Sequence, residues 1–339
     1  MKTKPMTKFA ILALSLVLVA CAGGGSEEAG CPAIDGREIN VVATTPMIGE
    51  FVSQVGGEKI NLTVLMPPEA NPHTYEPAPQ DAGTIAEADL VFYTGLLYEP
   101  AALVKLLENS ACSTDILSEV GESVFPIEFK EGGHDDHDDH DDHDDEEGHD
   151  DEEGHDDHEG HNHGAYDPHF WFDPSRVAYA AEYIESRLIQ FDPENESSYK
   201  SSADSFVSEL NDLTKQVSEL ISTVPSQNRK LITTHESLGY LEAKFGLEVL
   251  STIIPSLNSA NEISPSDLAG VIDVIEDNNV KVIFIESEAP SVYSETIVAE
   301  TGIKSVTGLY VETLKPGQSY SEFLISNVTL ITENLQDTD

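Results

Sequence analysis

The sequence predicts an α/β protein built as two lobes with parallel sheets, joined by one long rigid helix. Three observations carry that expectation. Short apolar runs alternate with helical stretches over residues 39–107, the rhythm of a parallel sheet with crossover helices. The same rhythm returns after residue 229. Between the two, apolar residues keep a 3–4 spacing for about thirty residues, roughly 45 Å of helix and more than one small lobe needs. The chain has 339 residues, and roughly 300 remain beyond its leader, enough for two lobes with cores of their own.

Taken in order, residues 1–20 read as a secretory signal. Lys2, Lys4 and Lys8 precede an apolar run, 9–19, broken only by Ser15. The run is too short to span a bilayer, which takes about 20 residues. It ends Leu18-Val19-Ala20-Cys21, similar to a bacterial lipobox. That resemblance implies cleavage before Cys21, lipid on that cysteine, and a mature chain anchored to the cell membrane outside the cytoplasm. Residues 21–38 then form a flexible, Gly-rich tether. No later segment is apolar enough to span a membrane.

The first lobe, residues 39–192, opens with strands at 39–44, 60–66 and 90–93. A turn at Gly56-Gly57, a Pro-rich loop over 67–79 and a helix at 101–107 punctuate them. Residues 132–164 interrupt this lobe with nine of the twelve histidines and almost nothing apolar. His134, His137, His140 and His143 recur every third residue between Asp pairs. Such a stretch cannot bury enough surface to offset its ordering, so a disordered loop is expected. Asp173-Pro174 then caps a helix, with Val177, Ala181, Ile184 and Leu188 on one face. Asp192-Pro193 repeats the signal and opens the linking helix, 193–224. Its buried face is read as Tyr199, Ala203, Phe206, Leu210, Leu213, Val217, Leu220 and Val224. The second lobe, 229–339, has strands at 230–234, 249–253 and 282–286. A helix opens at Ser264-Pro265, and an amphipathic helix over 319–335 closes the chain.

The net charge is −46, from 63 acidic and 17 basic residues. That excess argues against nucleic acid, whose phosphates need Lys and Arg. It suits a cation-handling protein, and solubility alone is the plainer explanation. Of three cysteines, Cys21 is assigned to lipid. Outside the cytoplasm Cys31 and Cys112 lean towards a disulfide. Their distance in sequence, with Cys31 beside the tether, leaves free thiols as the other reading.

Outside the His/Asp tract only His73, His169 and His235 remain. His73 lies in Asn71-Pro72-His73-Thr74-Tyr75-Glu76-Pro77, just past a strand. His169 lies in Asp167-Pro168-His169-Phe170-Trp171-Phe172-Asp173-Pro174, just before a helix. His235 lies in Thr233-Thr234-His235-Glu236-Ser237, where a strand ends. Ligands of open α/β sheets bind at the carboxyl ends of strands. Neutral imidazole is a good ligand for Zn²⁺, and four donors are usual, so three histidines ask for one more. A lone histidine is more often a hydrogen-bonded core or surface residue. Three in such loops, with no other outside the tract, point to a joint metal site.

These segments resemble the metal-binding subunits of bacterial metal ABC transporters, the cluster A-I zinc/manganese solute-binding proteins, and the zinc members above all. The resemblance runs from Ile39 onward. It rests on the three histidine motifs, on Pro79-Gln80-Asp81, on Thr233-Thr234-His235-Glu236-Ser237-Leu238-Gly239-Tyr240, and on the acidic His-rich insertion before the second motif. It implies two Rossmann-like lobes with the metal in the inter-lobe cleft. It also implies a monomeric, lipid-anchored protein that captures Zn²⁺ and delivers it to a membrane permease and its ATPase, with no catalysis. His73, His169 and His235 match the family's three nitrogen ligands. Manganese members tend to carry a carboxylate at the third position. Their late aspartate matches Leu309-Tyr310-Val311-Glu312-Thr313-Leu314, so Glu312 is the fourth ligand expected, with water, Glu286 and Glu288 as competitors. A manganese or other divalent-metal protein, or an adhesin on the same fold, is the alternative. A zinc-dependent hydrolase is the weaker one: His235-Glu236 begins His-Glu-x-x-His, but position 239 is Gly239. The insertion reads as a solvated linker or as a weak collector of additional Zn²⁺.

Overall fold

The computed structural model describes residues 31, 34, 36–129, 166–259, 261–288 and 292–336. The leader, Cys21 and the His/Asp insertion lie outside the described residues. The chain begins with strand β1 (Ile39–Ala43), helix α1 (Pro46–Gly56), β2 (Ile60–Val64), α2 (Pro79–Ala86), β3 (Leu90–Tyr93), α3 (Ala101–Ser110) and β4 (Leu117–Glu119). The four strands form a parallel sheet in the order β2-β1-β3-β4. Val41 pairs with Leu62 on one side and Leu90 on the other. The two central strands are almost wholly buried, as a parallel sheet with both faces covered requires.

Helix α4 (Pro174–Phe191) follows, with the Asp173 carboxylate accepting from the Ser175 amide at its start. The linking segment begins as a 3₁₀ turn, Pro193–Asn195, and continues as α5 (Glu196–Ser222). The expected single helix over 193–224 is therefore three residues shorter at its start and ends at Ser222. Pro193 has no amide to give, and the Asn195 amide bonds Asp192 O in the tighter i to i+3 manner. The Asp192 carboxylate takes the Asn195 side chain and the Tyr199 hydroxyl, at 2.7 and 2.6 Å.

The second half repeats the plan with β5 (Lys230–His235), α6 (Gly239–Phe245), β6 (Glu248–Ile254), α7 (Pro265–Asp277), β7 (Val282–Glu286), α8 (Val292–Thr301), β8 (Lys304–Leu309) and α9 (Tyr320–Gln336). Its strands are parallel in the order β6-β5-β7-β8. Helix α5 packs against α1 and α4 of the first half and against α6 and α9 of the second. One apolar core consequently runs through both, joining Phe51, Trp171, Val217 and Phe323. Two smaller cores cover the outer sheet faces, around Ile85 and Leu103 and around Ile253 and Ile297.

Cys31 and Cys112 are joined, with S–S at 2.01 Å and a sequence separation of 81. Among the described residues no helix is long and apolar enough to cross a membrane.

Candidate metal centre

Four side chains separated by up to 239 residues converge where the two halves meet. The side-chain donor atoms of His73, His169, His235 and Glu312 all lie within 4.8 Å of one another. Each is delivered by a local device. Asn71 accepts from the His73 amide at 2.9 Å and caps the 3₁₀ turn Pro72–Thr74. The Asn71 side chain also donates to Ser259 Oγ and Glu288 O, so it ties the first half to the second. His169 precedes the buried 3₁₀ turn Phe170–Phe172, and Asp167 accepts from its amide at 2.9 Å. His235 is the last residue of β5. Glu312 follows β8, in a segment whose Val311 carbonyl takes the Trp171 indole N–H at 2.8 Å.

The imidazoles are oriented from behind. Asp167 Oδ1 lies 2.8 Å from His169 Nδ1, and Glu286 Oε2 lies 2.5 Å from His235 Nδ1. Ser237 Oγ donates to Glu286 Oε1, and the Glu286 amide donates to Thr234 Oγ1. This leaves both Nε2 atoms facing inward. Neither has a hydrogen-bond partner among the described residues, and both are fully buried. The Glu312 carboxylate stands between them: Oε1 is 2.9 Å from His235 Nε2 and 3.0 Å from His73 Nε2, and Oε2 is 3.6 Å from His169 Nε2. The His169 contact is too long for a hydrogen bond, and the His235 contact is close enough but does not have the alignment of one. Two inward-facing nitrogens with no such bond are what a cation would satisfy.

The electrostatics follow from this crowding. Burial alone would push the histidines down, but the carboxylates outweigh it. Glu312 and Asp167 raise His169 to about 9, and Glu286 and Glu312 raise His235 well above its usual range. Burial works against the charged form of Glu312, yet the three histidines hold it well below the carboxylate range. Glu288 is pushed up to about 8 by burial and then by Glu312 and Glu286, so it is mostly a neutral acid at pH 7. Its Oε1 accepts from the Val311 and Glu312 amides at 3.2 and 3.3 Å, beneath the segment that carries Glu312.

The chain resembles known proteins in sequence and in fold. Residues 41–334 match the family model "Zinc-uptake complex component A periplasmic" (ZnuA). The chain belongs to this family. It is 28% identical over 337 residues to the high-affinity zinc uptake system protein ZnuA of Bacillus subtilis, covering 96% of each chain. It is 26% identical over 342 residues to the manganese ABC transporter substrate-binding lipoprotein PsaA of Streptococcus anginosus, covering 98% of this chain and 99% of that one. Its fold is similar to that of the periplasmic zinc binding protein TroA from Treponema pallidum. There the TM-score is 0.72 at 20% identity, over 88% of this chain and 99% of the other.

As a member of the ZnuA family the chain is a metal ABC transporter substrate-binding protein and not an enzyme. That role implies a permease and an ATPase as partners. The Gly239 that interrupts His-Glu-x-x-His has a steric reason: a Cβ there would lie 2.7 Å from Asp167 Oδ2, displacing the carboxylate that holds His169. Glu236, the base a hydrolase would need, accepts instead from Thr252 Oγ1 at 3.0 Å. Two contributors were not singled out in the sequence. Asp167 was within reach, standing two residues before a histidine. Tyr98, whose hydroxyl donates to Glu312 Oε2 at 2.9 Å, sits in a loop with no motif to mark it.

Proposed function

We propose that this protein is the zinc-capturing component of a high-affinity ABC importer, holding Zn²⁺ between His73, His169, His235 and Glu312 and passing it to the permease. The observation that carries the reading is the donor set, three buried imidazole nitrogens and one buried carboxylate within reach of a single ion. Zinc accepts such a four-donor N/O shell, whereas manganese favours more numerous, oxygen-rich ligands. The named relatives include zinc and manganese proteins at similar identity, so the choice of metal rests on the donors and not on the likeness. The test is a competition titration of the mature protein with residues 132–164 deleted. One tight zinc event is expected, with manganese weaker by on the order of 100-fold. A preference for manganese would overturn the zinc assignment. The full-length chain should add only weak zinc events from the nine insertion histidines. Anchoring through Cys21 belongs to the same proposal. Its check is incorporation of labelled palmitate by the wild type and none by Cys21→Ser, and an unlabelled wild type would refute it.

A further inference from the structure

The Glu312 carboxylate divides its two oxygens between different partners. Oε1 faces His73 and His235 at 3.0 and 2.9 Å. Oε2 accepts the Tyr98 hydroxyl at 2.9 Å and stands 3.6 Å from His169 Nε2. Among the described residues that hydroxyl has no acceptor except this oxygen and the Glu312 backbone carbonyl, at 3.2 Å. It cannot swing away. Tyr98 is buried, and its ring is wedged edge-on against His73, His169 and Trp171, with centroids at 5.0, 5.9 and 5.3 Å.

The loop that delivers Tyr98 adopts an unfavourable backbone to do so. Leu96 and Leu97 have φ of 53° and 62°, left-handed values that residues with a branched side chain rarely take. Two carboxylates hold the loop there. Glu99 accepts from the Thr94 and Gly95 amides at 2.7 and 2.9 Å, and Glu119 accepts from the Leu96 amide at 2.9 Å. Strain that the surroundings enforce in this way concentrates at ligand clamps.

From this geometry we propose that Tyr98 sets the metal selectivity of the centre by reserving Oε2, so that Glu312 enters the shell through one oxygen only. Three imidazoles and one oxygen then close a four-coordinate shell, the number zinc prefers. A freed Oε2 would let the carboxylate bind through both oxygens, adding a fifth, hard donor and moving the shell towards manganese. This inference rests on the zinc reading above.

The test uses the mature wild-type protein and Tyr98→Phe, which keeps the ring and removes only the donor. Each is given one equivalent of cobalt(II), and zinc and manganese affinities are measured by competition. Tetrahedral cobalt(II) absorbs visible light much more strongly than five- or six-coordinate cobalt(II). The wild type should show the intense bands, and the variant should lose much of their intensity while its zinc-to-manganese affinity ratio falls about tenfold, as expected for one hydrogen bond to a charged group. Glu119→Ala, which releases the Leu96 amide, should move both readouts the same way by less, and it decides the matter if Tyr98→Phe fails to fold. An unchanged spectrum with both affinities shifted alike overturns the role of Tyr98 and leaves the zinc reading intact. A wild type without tetrahedral bands defeats the zinc reading itself, and this inference with it.

Discussion

Two of the three histidines at the centre carry a carboxylate on the nitrogen turned away from it, Asp167 behind His169 and Glu286 behind His235. Such a partner selects the tautomer that leaves Nε2 free and makes the ring a better donor. Glu286→Gln should therefore weaken zinc binding by about 10–100-fold without changing the stoichiometry of one. Unaltered affinity in that variant would mean that Glu286 only fills space. The same pairs predict proton release. In the metal-free protein the neighbouring carboxylates outweigh burial and raise His169 to about 9, so it is protonated at pH 7.5, and they raise His235 as well. A metal at Nε2 must displace the His169 proton, and calorimetry in buffers of different ionisation enthalpy should count at least one proton per zinc. Zero released protons would contradict the assignment of these nitrogens. For metal-free stability the sign is set by the raised folded-state value. The contribution of His169 is fully present below about 6.5 and fades as pH rises through about 9. The three histidines were legible in the sequence because nothing else outside the insertion competed with them. Tyr98 and the supporting role of Glu288 were not, because their partners are 214 and 24 residues away and leave no local trace.

At the scale of elements, six of the eight strands announced themselves, and β4 and β8 did not. β1, β3, β5 and β7 are near-continuous apolar or β-branched runs, since both sheet faces are covered. β4 is three residues long and β8 reads Lys-Ser-Val-Thr-Gly-Leu, with four of six positions exposed at a sheet edge. Neither presents an apolar run to find. Helix α1 did carry a start signal, Thr45 capping and Pro46 at the first turn, but the glycine pair that ends it drew the reading to a turn instead. Helix α5 was legible because its apolar spacing persists over seven turns. The face it buries includes Leu210, which is 1% exposed. Leu210→Ala should lower unfolding stability by about 2–5 kcal/mol in denaturant titration. A loss under 1 kcal/mol would mean that the core along α5 can collapse around the gap.

At the scale of the molecule, the two sheets are not independent bodies hung on a flexible hinge. Their helices share one apolar core along α5, from Phe51 of α1 to Phe323 of α9. Polar ties reinforce it across the cleft: Trp171 to Val311, Tyr320 to Trp171, and Asn71 to Ser259. Helix α5 contains no glycine or internal proline at which to bend. Opening the halves widely would expose shared core surface at about 25 cal/mol per Å², a cost that one metal ion's departure has no contact to repay. Exchange of the metal should instead involve the segments that carry its ligands, the turn at His73 and the stretch at Glu312. Small-angle scattering of the mature protein lacking residues 132–164 should thus give nearly the same radius of gyration with zinc and after chelation. Hydrogen exchange should slow on zinc binding around 71–75 and 309–314, with α5 unaffected. A large change in radius, or altered exchange along α5, would show that the shared core divides when the metal leaves.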